Sequence, residues 1–73
     1  MTFHVLLQFQ PPDGPVVTGT WERGETADGK FEEWVYTHSA HSTAHITLAK
    51  ESAGVRRVLS EWTRTTGTIR HTA

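Results

Sequence analysis

The sequence contains no cysteine, and this absence excludes several kinds of chemistry at once. Without thiols there is no disulfide bridge, no thiolate zinc site and no cysteine nucleophile. Small domains secreted into oxidising surroundings usually need disulfides to supplement a thin core. We therefore expect a cytoplasmic location.

Long apolar runs are also absent from the sequence. Val5–Leu7 is a short apolar stretch without basic residues before it or a small-residue cleavage site after it, so it does not resemble a signal peptide. A membrane-spanning helix needs about 20 consecutive apolar residues. The sequence therefore predicts no membrane partner.

Neither acidic nor basic residues are in large excess, since the formal net charge is −1. The charged residues are, however, unevenly distributed along the chain. Residues 1–49 carry two basic and six acidic side chains, whereas residues 50–73 carry five basic and two acidic ones. Such an asymmetry allows pairing within one chain, pairing between two copies, or binding of an anion to the basic part.

The apolar residues that are present follow the periods of strands and a helix. Residues 3–9 alternate between apolar and polar side chains, which predicts a half-buried strand. The proline- and glycine-containing residues 10–15 predict a turn, and residues 16–21 predict a second strand that completes a hairpin.

The register expected for this hairpin places Gly19 on the face that carries the aromatic residues. Its pairs are Phe9 with Val17, Leu7 with Gly19 and Val5 with Trp21. A glycine in a strand leaves a gap, which the Trp21 ring or an overlying helix could fill.

Residues 25–38 allow two interpretations. Asp28-Gly29 between aromatic residues is typical of a hairpin turn, and a strand over residues 30–37 would make an all-β small barrel. An apolar stripe at helical spacing opposes that interpretation, and its members are Ala27, Phe31, Trp34, Val35 and His38. Because five positions outweigh one dipeptide, we predict a helix.

The second half of the chain predicts another hairpin. We expect strands over residues 44–50 and 55–62, joined by a three-residue loop within Glu51–Val55 that places Gly54 in the left-handed conformation. The expected pairs are Leu48 with Val58, Ile46 with Ser60 and Ala44 with Trp62. Residues 63–73 are rich in threonine and predict either a frayed tail or a short edge strand.

The predicted fold is α+β, a single small domain over residues 1–73 with the order ββαββ. One four-stranded antiparallel sheet carries a single helix on one face, and the all-β barrel is the alternative. The expected core consists of Phe3, Val5, Leu7, Phe9, Val17, Trp21, Ala27, Phe31, Trp34, Val35, Ile46, Leu48, Val58 and Trp62.

Three histidines come nearest to a metal-binding pattern. His38, His41 and His45 are closely spaced, but the helix is expected to end near the first and a strand to begin near the last. Their rings then share no face, and zinc needs three or four converging ligands. We predict no metal and no cofactor.

The sequence does not predict an enzyme. The adjacent Glu32 and Glu33 would point about 100° apart on a helix, so they cannot act as a converging pair of carboxylates. Nucleophile-elbow, phosphate-loop and HExxH patterns are absent from the sequence.

Nucleic-acid binding is an alternative function. Arg56, Arg57, Arg64 and Arg70 concentrate in the last third of the chain, and phosphate contacts need such a cluster. Against it, the large aromatics are predicted to lie under the helix, whereas RNA-binding sheets expose theirs.

The favoured hypothesis is a small non-enzymatic protein-interaction module. One helix covers one face of a sheet, so the opposite face meets either water or a partner. Leu6, Val16 and Leu59 are expected on that face. The sequence therefore predicts self-association, or another protein partner, through the open face or an edge strand.

Overall fold

The computed structural model describes residues 1–9, 14–38, 40 and 43–71, which form one helix and one five-stranded antiparallel sheet. The elements are β1 (Thr2–Gln8), β2 (Val16–Trp21), α1 (Gly24–His38), β3 (His45–Ser52), β4 (Val55–Thr63) and β5 (Gly67–Arg70). The strands lie in the order β2-β1-β3-β4-β5, so β2 and β5 are the edges. The helix packs against β1, β3 and β2. The sheet face away from the helix is called the open face below.

The α+β class and the single antiparallel sheet with one helix are confirmed, but the predicted ββαββ order is one strand short. The fifth strand, Gly67–Arg70, pairs with β4. It lies within residues 63–73, for which the sequence predicted either a frayed tail or a short edge strand. Ile69 is the one large apolar residue of β5, so the sequence of this strand shows no alternation of apolar and polar residues. The strand forms by pairing with β4.

The helix forms where the apolar stripe predicts it, so the alternative strand over residues 30–37 is wrong. Ala27 and Phe31 are fully buried, and Trp34 and Val35 pack against the same core. Among the described residues no helix is long and apolar enough to cross a membrane.

The register of the first hairpin differs from the prediction by two residues. The observed pairs are Phe3 with Trp21, Val5 with Gly19 and Leu7 with Val17. The Phe9 N–H donates to the Pro15 carbonyl at 3.4 Å, so Phe9 lies opposite Pro15 rather than Val17. A two-residue slip preserves the face of every side chain, because side chains alternate with a period of two.

The turn of the second hairpin is shorter than predicted. Ser52 pairs directly with Val55, so the loop has two residues instead of three. Both residues adopt positive φ, 52° at Ala53 and 79° at Gly54. This is the backbone geometry of a type I′ turn, whose twist matches that of the two strands.

A register shift between Leu48 and Ala49 divides the β3–β4 pairing into two parts. The predicted pairs are therefore wrong, and the structure pairs Ile46 with Trp62, Leu48 with Ser60, Ala49 with Val58 and Lys50 with Arg57. Such a bulge adds a residue to one strand and changes which face the following side chains occupy. As a result Val58 leaves the predicted core, and Arg57 lies on the same side of the sheet as the helix.

The core lies between the helix and the strands beneath it. Its buried apolar members are Val5, Leu7, Ala27, Phe31, Ala44, Ile46, Leu48 and Trp62. Two predicted members are exposed: Val17, on an edge strand, by 46%, and Val58, beyond the bulge, by 38%. Ser60, which the prediction omitted, is buried at 2% exposure opposite Leu48.

Gly19 provides the space into which an aromatic ring packs. A Cβ built on Gly19 would overlap the six-membered ring of Trp21, so the indole lies directly over this glycine as the sequence suggested. The same indole meets Trp34 of the helix edge-on, with ring centroids 6.3 Å apart. This contact secures α1 to the edge strand β2.

Gly19→Ala is expected to lower the free energy of unfolding by about 1–3 kcal/mol, because the added methyl group displaces the Trp21 ring. Gly29→Ala is the matched control: nothing lies within 4 Å of a Cβ built there, and the substitution should stabilise the helix by up to about 1 kcal/mol. Urea unfolding followed by tryptophan fluorescence measures both changes. A Gly19→Ala protein as stable as the parent would contradict the packing described here.

Candidate functional site on the open sheet face

The open face carries mainly polar side chains, contributed by all five strands. The strand registers place on it Val16, Thr18, Thr20, Thr2, His4, Leu6, Gln8, His45, Thr47, Ala49, Glu51, Arg56, Val58, Glu61, Thr63 and Ile69. Several of these polar residues contact one another across strands and form two separate networks.

The first network crosses four strands at one end of the sheet. The ring nitrogens of His4 lie 3.2 Å from Thr20 Oγ1 and 2.9 Å from Glu51 Oε1. Arg56 Nη2 donates to the same carboxylate oxygen at 3.3 Å. His4 is the least accessible member, with its side chain only 12% exposed. The network therefore ties β2, β1, β3 and β4 together through side chains as well as through the backbone.

Charge and hydrogen bonding fix the roles of these groups. A carboxylate only accepts, so His4 Nε2 donates to Glu51, and in the neutral ring Nδ1 accepts from the Thr20 hydroxyl. The hydrogen bond from His4, followed by that from Arg56, lowers the pKa of the Glu51 carboxyl below its ordinary value of 4.5.

The order hydroxyl, imidazole, carboxylate in Thr20, His4 and Glu51 is also that of hydrolytic triads. Such triads additionally need a concave substrate site and N–H donors directed at a developing oxyanion. A cavity lined by Lys50 and Arg57 lies on the other side of the sheet. The contacts that the structure shows connect four strands through side chains.

The second network lies at the other end of the open face. Glu61 is flanked by two imidazoles, with Oε2 3.9 Å from His45 Nε2 and Oε1 3.7 Å from His71 Nε2. Both distances exceed that of a hydrogen bond, so the attraction depends on a protonated imidazole. His45 Nε2 is buried and makes no hydrogen bond within the described part of the chain.

Of the three closely spaced histidines, the structure describes His38 and His45 and places them on different sides of the sheet. The His38 ring packs edge-on against Phe9, with centroids 5.6 Å apart, whereas His45 lies on the open face of β3. His41 lies outside the described residues. In the described ranges, no group of three His, Asp or Glu side chains could hold a metal ion.

The three predicted interface residues occupy different environments. Leu6 lies on the open face between β2 and β3, and is half-buried. Val16 begins the edge strand β2 and is 50% exposed. Leu59 packs against the helix-side core, because it lies where the bulge interrupts the pairing of β4. They do not form one apolar patch.

The four predicted nucleic-acid-binding arginines do not form one patch either. Arg56 and Arg57 are neighbours on β4 but point to opposite faces, since strand side chains alternate. Arg64 follows the other end of β4, roughly 25 Å away at about 3.3 Å per residue, and its guanidinium lies 3.5 Å from the Ala40 carbonyl.

Arg70 is bound by the helix rather than directed at a partner. Its Nη1 donates to Asp28 Oδ1 at 3.0 Å and its Nη2 to Glu32 Oε1 at 2.6 Å, while Nη1 also lies 3.3 Å from Ser60 Oγ. The contacts with Asp28, and then with Glu32, raise the pKa of Arg70. This side chain joins β5 to the helix and neutralises part of the predicted basic patch.

Sequence reasoning missed the contact between Glu51 and His4. The expected loop began at Glu51, which placed it beyond the sheet, whereas β3 continues to Ser52. The alternation along residues 45–51 is the signal that could have found it, because it places Glu51 on the same face as Thr47 and Ala49.

The Glu51→Gln substitution should give a pH-dependent loss of stability. The folded-state pKa of Glu51 is lowered, so its contribution is present above the ordinary value of 4.5 and is lost as pH falls through the folded value. Urea midpoints of the two proteins should therefore converge in acid. In a His4→Gln background the pH-dependent difference should shrink, and an unchanged difference would contradict the role assigned to His4.

Comparisons with known proteins do not assign a function to these side chains. No protein-family model matches the chain, and neither a curated protein nor a solved structure matches it. The functional interpretation therefore rests on the surfaces and edges of the sheet itself.

Proposed function

We propose that this protein is a non-enzymatic interaction module that self-associates by pairing β2 with β2 of a second copy. The sequence left the open face and an edge strand as alternative routes. The observation that favours the edge is the composition of β2, Val16–Trp21, which contains no charged residue. A cytoplasmic location, favoured by the absence of cysteine, stays a prediction.

Within the described residues, the edge strand β2 has no charged residue, no proline and no bulge. Natural edge strands are commonly short, or carry charged residues, proline or a bulge. β2 is six residues long, regularly paired with β1, and exposes Val16 and Val17 by 50% and 46%. By contrast β5, Gly67–Arg70, has four residues and ends in a charged side chain.

A second copy is the partner that this edge fits. Antiparallel pairing about a two-fold axis perpendicular to the sheet keeps the helix-side residues of both copies on the same side. With the axis at Thr18, Thr18 lies opposite Thr18 of the second copy, Val17 opposite Gly19 and Val16 opposite Thr20, and no like charges lie opposite each other within β2. The two sheets then continue into one.

The open face supports self-association less well than the edge does. Its ionisable groups already contact one another in two networks, one around His4 and one around Glu61. Its exposed apolar residues, Val16, Val58 and Ile69, belong to three different strands and are separated by polar rows. An apolar docking patch would need them to be contiguous.

The nucleic-acid alternative gains no comparable support from the geometry. Arg56 and Arg70 are ion-paired with carboxylates of the same chain, and the four arginines are distributed over both faces and both ends of β4. Phosphate-dominated binding should weaken steeply between about 50 and 200 mM salt, whereas backbone pairing of uncharged strands should persist.

Thr18→Lys tests the proposal, because it brings two ammonium groups close together across the two-fold axis. Sedimentation equilibrium over a concentration series should show a dimer for the parent protein and an association at least about tenfold weaker for Thr18→Lys. Thr68→Lys is the matched control, since it makes the same change at an exposed position of the other edge, β5, and should leave the dimer intact.

Circular dichroism spectra of both variants check that they keep the parental fold. A parent protein that stays monomeric at high concentration would overturn the proposal. Equal weakening by the two lysine substitutions would assign the effect to net charge rather than to the β2 edge, and would overturn it as well. Binding of a mixed-sequence DNA that disappears with added salt, without dimerisation, would favour the alternative function.

A further inference from the structure

Two cationic side chains lie directly opposite each other on the helix side of the sheet. Lys50 of β3 pairs with Arg57 of β4, and Lys50 also pairs with Phe3, whose ring contacts the start of the helix. Within the described part of the chain neither Lys50 nor Arg57 takes part in an ion pair, whereas Arg56 and Arg70 do.

Opposed like charges on neighbouring strands repel each other. Without a nearby carboxylate this repulsion is relieved only by solvent, by counterions or by a bound anion. Arg56 and Arg70 are neutralised by carboxylates of the same chain. Lys50 and Arg57 instead present their positive charge outward.

The two cations line a shallow cavity of about 170 Å³. Ser52 and Val55 complete its lining, and they pair with each other at the end of the hairpin. Cavities that hold drug-sized ligands measure about 300–1,000 Å³. This cavity is therefore suited to a small group and not to a large organic molecule.

The polar side chains of the cavity favour an oxyanion. An arginine presents a planar fork of N–H donors, a lysine presents a compact ammonium group, and both lack acceptors. The Ser52 hydroxyl can donate as well. Arginine forks and lysine point charges are the usual partners of phosphate oxygens. Val55 offers an apolar wall that could contact carbon attached to the phosphate.

We propose that Lys50, Ser52 and Arg57 form a binding site for a single phosphate group, either free or carried by a small organic ester. The site lies on β3 and β4, and β1 separates it from the self-association edge β2. It is therefore independent of the proposed dimer, and either proposal can fail while the other stands.

Arg56 provides a matched control for Arg57. The two residues are adjacent in β4, carry the same charge and lie near the same turn, but Arg56 lies on the open face and contacts Glu51 at 3.3 Å. Removing either arginine changes the net charge equally. A site-specific interaction requires Arg57, whereas a general attraction of anions to this end of the molecule depends on both.

The experiment is an amide NMR titration of the parent protein, Lys50→Gln, Arg57→Gln and Arg56→Gln with inorganic phosphate. Ionic strength is held constant with sodium chloride. We expect saturable shifts confined to residues 50–57 in the parent and in Arg56→Gln. Binding at least about tenfold weaker is expected in Lys50→Gln and Arg57→Gln, because each removes a charge-assisted hydrogen bond.

A parallel titration with glycerol phosphate distinguishes the two sources of the group. Tighter binding of the ester than of inorganic phosphate would assign the site to organic phosphates, and equal binding would assign it to free phosphate. Shifts that are absent, that never saturate, or that weaken equally in Arg56→Gln and Arg57→Gln would overturn the proposal.

Discussion

The structure depends on the burial of one helix face against one face of the sheet. Phe31 and Ala27 of the helix are fully buried with Val5 and Ile46 of the strands beneath them. Burial of such side chains is the main favourable term in a chain of this size, which exposes a large share of its surface. Since a single helix covers a single face, every other surface of the sheet is left for polar networks, charges and edges.

The features with functional interest all lie outside that buried layer. The His4 and Glu61 networks occupy the face that no described helix covers, and Arg70 extends from the edge strand β5 to two carboxylates of the helix. The uncharged edge β2 and the opposed Lys50 and Arg57 are two places where the described chain leaves bonding capacity directed outward. A partner of matching chemistry, a strand in one case and an oxyanion in the other, would complete them.

Sequence reasoning located the elements better than it located their partners. It placed the helix correctly because the stripe from Ala27 to Val35 is long enough to outweigh the Asp-Gly dipeptide. It misjudged the first hairpin, because alternation identifies the face of a side chain and is unchanged by a two-residue slip. In the second hairpin it also missed the bulge, which moves Val58 off the core face. The error mattered little for Val5 and Leu7, which stay buried in either register. It mattered more at Glu51, whose assignment to a loop concealed its contact with His4.

The sequence by itself determined the helix, the strands β1 to β4 and which side chains of β1 and β2 face the core, since these follow from local periods of 3.6 and 2. Only the tertiary structure decided the strand order, the bulge at Leu59 opposite Leu48 and Ala49, and the pairing of the short strand β5. Those depend on hydrogen bonds between residues distant in the chain, which no local period encodes. The tertiary structure also decided that Lys50 lies opposite Arg57 and that His4 contacts Glu51. One residue more or less in a turn or bulge would give each of these side chains another partner or place it on another face.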